Sequence, residues 1–581
     1  MPKIKTLGVI SLLLVLISCQ SNNSTQEVTS ISATIPSSDS TVENPLAATQ
    51  KPTMNPTAEF SATEIETQQP ILDIETYPQG SKVEISFTGP LSIGLDPEIN
   101  PFALQVDVVL QSPDDETINV PAFYDGDGNG GIDGDVWKFR FSPYQTGVWH
   151  FTVSSAGGQI DQYEGSFEVV SNTNCRADND PEIDLNCLGR LEYVGEHYLK
   201  FRDGDYWIKA GLDDPENFIG TAFGDWEAKR SQIDFLSEMG INSIYVITNN
   251  IDGDRKDTWP WMGETPAQAK TNHDRFDVAK LQEWEDFFSY VQQKGIVLHL
   301  VLNDDSAWSG YDKEMYIREM VARFGHHPGI IWNIGEEANE IYSNSEQEDL
   351  AAKIKDVDPY NHPVTVHRKS PWPFLGNQKF DLASIQIGDG GSDFSTARLM
   401  DYNAIVLEHR EQSTLKGHTI PIMIDETPRI TEIDQEIRKK FRTQVLYPIF
   451  FGGGNFELHY RDAYGQSGSV TIEDLQPLIM DMVRLRRMLE SLPFTGMQPC
   501  NELLSNPGNI CLGDQGKVYA IYFPEGGSES LDFTQQEGEF SATWFDPRTG
   551  ESDMAEVVED GQVNILTAPD NNDWVLLLKA G

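Results

Sequence analysis

Between Tyr206 and about Glu490 of this 581-residue chain, eight short apolar runs alternate with amphipathic stretches of helical spacing, which leaves few folds open. The runs are YWIKAGL, INSIYVIT, IVLHLVL, GIIWNIG, PVTVHR, LASIQIG, PIMIDE and FFGGGNFEL. They are apolar and rich in β-branched residues, the pattern of strands buried on both faces of a parallel sheet. Between them lie segments such as VAKLQEWEDFFSYVQQKG, DKEMYIREMVARFG and LQPLIMDMVRLRRMLES, whose apolar residues recur three and four apart. The alternation predicts a (β/α)8 TIM barrel over residues 173–492.

The flanks differ in kind. Residues 76–172 contain short alternating strands (KVEISF, FALQVDVVL, WKFRFSP, GVWHFTVSS, EGSFEVV) and predict an N-terminal immunoglobulin-like β-sandwich. Residues 493–581 return to strands and turns and predict a second, C-terminal β-sandwich. Its Trp544, Phe545 and Trp574 suit a core better than a sugar platform. The chain is thus a multidomain protein, α/β at its centre and all-β on both sides.

At the N-terminus, Lys3 and Lys5 precede an apolar run from Leu7 to Ile17 and then Leu16-Ile17-Ser18-Cys19. The run is shorter than the ~20 residues of a membrane span. Residues 1–19 therefore predict a bacterial lipoprotein signal peptide, with Cys19 as the lipidation site. Residues 20–75, rich in Ser, Thr and Pro, predict a disordered linker that tethers the folded part to the cell surface or the periplasmic side of a membrane. Four other cysteines remain, and short loops favour Cys175 with Cys187 and Cys500 with Cys511 over the two longer-range connectivities.

With 91 acidic against 42 basic residues the formal net charge is −49, which excludes charge-driven binding to nucleic acid or an anionic membrane surface. Contact with a membrane is expected through the lipid alone. A loop in the N-terminal sandwich, AFYDGDGNGGIDGDVW, places Asp125, Asp127, Asn129 and Asp133 at alternating positions with Gly130 at the turn, so a structural calcium ion is a candidate. Val136 stands where the bidentate Glu of such a loop would be, and a Gly/Asp-rich hairpin without metal explains the same residues. His326-His327 lack the helical spacing of a metal pair and predict a helix terminus, where imidazoles meet free carbonyls.

The chemistry-bearing residues cluster after the strands. IIWNIGEEANE carries Glu336, Glu337 and Glu340 behind the fourth run, and IPIMIDETP carries Glu426 at the end of the seventh. In a barrel all strands open on one face, so the two ends can flank one substrate bond. Two such carboxyls, one protonated and one ionised, are what hydrolysis of a glycosidic bond requires, and no cofactor is needed. Alternation along a strand sends Glu336 and Glu337 to opposite faces and leaves open which of them acts. Asn249, Asn250, His299, Asn303, Asp304, Asn333, Glu336, His367, Arg368 and His459 are candidate hydrogen-bonding groups for sugar hydroxyls, and Trp259 and Trp261 are candidate stacking platforms.

Trp332-Asn333-Ile334-Gly335-Glu336-Glu337 resembles the W-x-x-G-N-E strand-four motif of clan A glycoside hydrolases, whose acid/base is the final Glu. The resemblance implies that Glu337 is the acid/base, that Glu426 is the nucleophile and that the reaction proceeds with retention. Glu336 departs from the pattern, since many clan members carry Asn there. AFYDGDG with FRFSPYQTGVW, DGDYWIKAGLDDPENFIG, and YIREMVARFGHHPGIIWNIGEEAN resemble bacterial proteins that join an N-terminal domain of unknown function to a glycosidase barrel. KVYAIYFPEGG and WFDPRTGE resemble a module labelled collagen-binding, which here implies an accessory sandwich on a carbohydrate-active protein. A non-catalytic glycan-binding lipoprotein and, less well, a polysaccharide lyase are the competing readings. The sequence names no particular glycan, linkage or oligomeric state.

Overall fold

The computed structural model describes residues 74–94, 100–175, 184–213, 218–221, 224–253, 256–460, 470–534, 538–558 and 561–581. Cys19, the signal segment and nearly all of the linker lie outside the described residues. The eight runs form the positions of one parallel barrel. These are β1 (Ala210–Leu212), β2 (Ser243–Ile247), β3 (Val297–Val301), β4 (Ile330–Asn333), β5 (Val364–Thr365, resumed as His367–Lys369), β6 (Ala383–Gln386), β7 (Ile422–Glu426) and β8 (Asn455–Leu458). Neighbours pair in sequence order, and β1 pairs back to β8 with Ala210 opposite Phe456. The ladder is interrupted inside β5: its first piece pairs with β4 and its second with β6, with Val366 between them.

β2, β3 and β7 are buried along their whole length, the two-sided burial that continuous apolar runs require. The outer helices start where the sequence supplies caps. Asp225, Asp277, Asp312, Asp401 and Asp434 each accept a backbone N–H of the first turn. Ser343 and Glu346 close a reciprocal capping box ahead of Asn344–Val357.

The N-terminal region is a five-stranded sheet and a three-stranded sheet, joined across their interior by aromatic pairs such as Phe139–Phe151 at 5.3 Å and Phe141–Trp149 at 5.2 Å. It is bolted to the barrel by buried charge. Glu285, on the helix Val278–Gln293, lies 3.3 Å from Arg140 and 2.9 Å from Lys82 of the sandwich. Arg323 of the barrel donates to the Tyr124 carbonyl at 2.8 Å. His326 and His327 follow the end of the helix Lys313–Phe324, but they meet a carboxylate of this junction: their Nε2 atoms lie 3.2 and 3.1 Å from the two oxygens of Glu285. The carboxylate that meets them is some forty residues away in sequence, beyond the reach of local pattern.

The candidate calcium loop is engaged with the protein itself. Asp125 pairs with Lys138 at 2.7 Å and Arg323 at 3.4 Å, and Asp127 Oδ1 accepts the N–H groups of Asn129 and Gly131. Asp133 accepts the Gly94 N–H at 2.6 Å, and Asn129 donates to the Asp127 carbonyl at 3.1 Å. A cation there would compete with Lys138 and Arg323 for Asp125.

The C-terminal region has a six-stranded and a two-stranded sheet. Trp544 and Trp574 pack edge to face in it at 6.4 Å, and Phe545 is buried, so all three are core residues. Disulfides join Cys175 to Cys187 and Cys500 to Cys511.

Candidate active site

The cavity at the C-terminal ends of the barrel strands holds about 170 Å³. Its wall contains Glu336, Glu337, Glu426, His459 and Asp304, all foreseen from the sequence. It also contains Asp213, Asp305, Lys369, Gln386, Asp389, Gly391 and Arg429, which were not. Asp213 and Gln386 carry the same signal as Glu426, a polar residue at the end of an apolar run. The loop residues carry no such signal.

Beyond β4 the backbone stops alternating. Glu336 N–H donates to the Asn303 carbonyl at 2.9 Å, and Glu337 takes φ +30° and ψ 43°, a left-handed conformation that a side chain other than glycine seldom adopts. The kink lets both carboxyls line one cavity with different partners. Glu337 Oε1 lies 2.6 Å from Lys369 Nζ. Glu336 turns inward, where the Tyr245 hydroxyl donates to its Oε2 and His367 Nε2 lies 3.5 Å from its Oε1.

Glu426 ends β7 almost wholly buried. His367 Nε2 lies 3.4 Å from its Oε2 and His459 Nδ1 lies 3.9 Å from its Oε1. Burial works to raise its proton affinity, but the neighbouring imidazoles of His367 and His459 outweigh it, and the carboxyl is held well below the usual range. Glu336 goes the other way. Burial, only partly offset by His367 and reinforced by the negative charge of Glu426, pushes it up to about 8. His367 is drawn up to about 9, because Glu336 and Glu426 together overcome its own burial. The site thus drives its groups apart: Glu336 toward the protonated form, Glu426 toward the ionised form and His367 toward the imidazolium.

A second buried cluster supports the first. Lys209 Nζ lies 2.7 Å from Glu457, 3.4 Å from Asp425 and 2.9 Å from His299 Nδ1. His299 Nε2 is 3.1 Å from Asn333 Nδ2, and Asn333 Oδ1 accepts the N–H groups of Gly335 and His367 at 3.1 and 3.2 Å. Asn333 thus ties β4 to β5 at the interruption and fixes the backbone on which Glu336 and His367 stand. Asn333, His299 and His367 lie beneath or behind the cavity, not on its wall.

Several other candidates have scaffold roles. Asn249 donates to Asn303 at 2.6 Å, and Asn303 also accepts from Tyr311 at 2.9 Å. Asn250 accepts the Thr258 N–H at 2.7 Å. Trp261 is fully buried against Tyr311 and Tyr316, and Trp259 is 7% exposed and donates to the Gly263 carbonyl. Neither tryptophan offers a face to a sugar, because the segment after β2 folds into a small aromatic core of its own. Arg368 turns away from the cavity to Asn344 and Gln347 at 2.9 Å each.

Residues 76–156 match the family model "Domain of unknown function (DUF5060)", and residues 505–579 match "Putative collagen-binding domain of a collagenase". A solved structure from Bacteroides vulgatus ATCC 8482, titled a "putative glycoside hydrolase", superposes with a TM-score of 0.67 at 17% identity, covering 87% of this chain and 100% of the other. A glycoside hydrolase family 5 structure from the same organism gives a TM-score of 0.55 at 16% identity, covering 70% of this chain and 96% of that one. A third structure, titled "Glycoside hydrolase", gives 0.52 at 19% identity over 68% of this chain and 97% of its own length. The likeness is one of fold. No curated protein matches the sequence.

Proposed function

We propose that this chain is a glycoside hydrolase that cleaves O-glycosidic bonds of a poly- or oligosaccharide with net retention. The observation that carries the reading is that carboxyl groups from the ends of β4 and β7 meet over one polar cavity with opposite proton affinities. Glu426, kept ionised by its imidazole neighbours, attacks the anomeric carbon and forms a glycosyl ester. As the bond to the leaving oxygen breaks, an acid from the β4 end gives that oxygen a proton. The same group then takes a proton from the water that releases the sugar.

We assign the acid/base role to Glu337. It occupies the final position of the strand-four motif, lines the cavity, and has Lys369 as a counter-charge for the half of the cycle in which it is ionised. Two observations favour Glu336 instead: its proton affinity is the raised one, and one of its carboxylate oxygens lies within 4.8 Å of one from Glu426, near the ~5 to 5.5 Å that retention requires.

Aryl glycosides separate the two assignments. The acid/base variant keeps turnover on substrates with good leaving groups, loses it on poor ones, and is accelerated by azide. Glu337→Gln is expected to show that pattern, and its appearance in Glu336→Gln alone would transfer the role. Equal turnover by wild type, Glu337→Gln and Glu426→Gln removes the mechanism altogether. An unsaturated product favours a lyase, and glycan binding without turnover favours a display protein.

The two disulfides fit an oxidising compartment. With Cys19 we place the chain outside the cytoplasm on a lipid anchor, and Cys19→Ala is expected to move it from the membrane to the soluble fraction.

A further inference from the structure

Among the described residues, three buried groups bring imidazole and carboxylate atoms within 4.8 Å of one another: Glu285 with His326 and His327, His299 with Asp425 and Glu457, and Glu336 with His367 and Glu426. The first two contain their own cation. Lys82 and Arg140 reach Glu285, and the Lys209 ammonium stands among His299, Asp425 and Glu457. Among the described residues no lysine or arginine forms an ion pair with Glu336 or Glu426, and Lys369 on the same cavity wall is engaged by Glu337.

The third group holds a buried imidazole between two carboxylates. His367 is fully buried, and neither of its ring nitrogens makes an aligned hydrogen bond. Its Nε2 points between two carboxylate oxygens at 3.5 and 3.4 Å, long for charge-assisted hydrogen bonds. Those separations match the edge of a tetrahedron, about 3.4 Å for ligands bound at ~2.1 Å. The other oxygen of Glu336 is steadied from behind, where Oε2 accepts from the Tyr245 hydroxyl.

We propose that Glu336 Oε1, His367 Nε2 and Glu426 Oε2 form a binding site for a divalent cation of the zinc class, with its fourth position open to the cavity. One imidazole and two carboxylates on a short tetrahedral frame suit zinc, whereas calcium takes six to eight oxygens at longer distances. A bound ion ties up the oxygen with which Glu426 would attack, so the site switches turnover off. The binding stands apart from the glycosidase reading, and the block on turnover rests on it.

The test uses the whole chain, stripped with EDTA and titrated with zinc chloride in a calorimeter. Crystals grown with zinc are measured at the zinc absorption edge. One zinc per chain at micromolar affinity or tighter, with anomalous density between Glu336, His367 and Glu426, is the expected result. Glu336→Gln and His367→Gln are each expected to weaken binding at least about a hundredfold, since even supporting partners of a metal site cost up to that much. Absence of stoichiometric binding in the wild type, or density at another cluster, overturns the proposal without reliance on any variant. Zinc found at the triad while turnover persists leaves the site standing and removes Glu426 as nucleophile. Zinc at the triad of a chain that cleaves no glycan even after EDTA has stripped the metal overturns the hydrolase reading alone.

Discussion

The barrel holds two adjacent clusters of nearly the same chemistry, and they have opposite fates. His299, Asp425 and Glu457 surround Lys209, whereas Glu336 and Glu426 line a cavity with His367 behind them. Consecutive residues of β7, Asp425 and Glu426, serve one each. In the first cluster a covalently tethered ammonium satisfies the buried carboxylates, and nothing is left for chemistry. In the second an imidazole takes the place of the ammonium, and burial of Glu336 against the pull of His367 and His459 on Glu426 spreads the two proton affinities apart. A buried carboxylate becomes reactive or inert according to whether a cation is built in beside it.

The sharpest break in this comparison is Glu426→Gln. Turnover on the best glycan substrate is expected to fall at least about ten-thousandfold, with little change in melting temperature, as measured by initial rates and circular dichroism. The mirror-image substitution, Lys209→Met, leaves buried carboxylates without their cation and is expected to cost about 3 to 5 kcal/mol in denaturant unfolding.

Acid tests the closed clusters more gently. Burial, followed by the charge of Lys209, holds His299 well below its usual value, and burial lowers His326 to about 3. The unfolded chain accepts protons near pH 6.5 that these folded imidazoles refuse. Their stabilising contribution is therefore complete above that value, starts to be lost as the pH falls below it, and goes on falling until the folded imidazoles themselves take up protons. Melting temperature is expected to decline steadily from pH 7 to pH 5. The smallest effect concerns the Asp-rich loop, where Lys138 and Arg323 already hold Asp125. Calcium added to the EDTA-stripped chain is expected to leave the melting temperature unchanged, and a clear rise abolished by Asp127→Asn would restore calcium to that loop.

The barrel was legible because its eight strands are buried on both faces, which writes itself into sequence as uninterrupted apolar runs. The carboxyls that end them were legible for the same reason: Glu336, Glu337 and Glu426 each stand where such a run meets solvent. Lys209 was hidden by its setting, a single cation inside YWIKAGL whose partners come from β3, β7 and β8. Asn249, Asn250 and Asn303 follow their strands just as Glu426 does, yet they hydrogen-bond to loops, because an amide can meet both donors and acceptors of exposed backbone. The left-handed turn at Glu337 had no glycine to announce it. The junction of sandwich and barrel rests on partners such as Lys82 and Glu285, some two hundred residues apart, which no local pattern can join.

That junction bears on how the molecule can be divided. Arg140 has no exposed side-chain surface, and it reaches Glu285 on one side and Glu84 on the other. A barrel expressed without residues 76–172 would open Glu285, Arg323 and their histidines to water along an entire flank. The N-terminal sandwich is in this sense one wall of the barrel, and cut-and-paste engineering of the barrel will have to carry it along or rebuild that face.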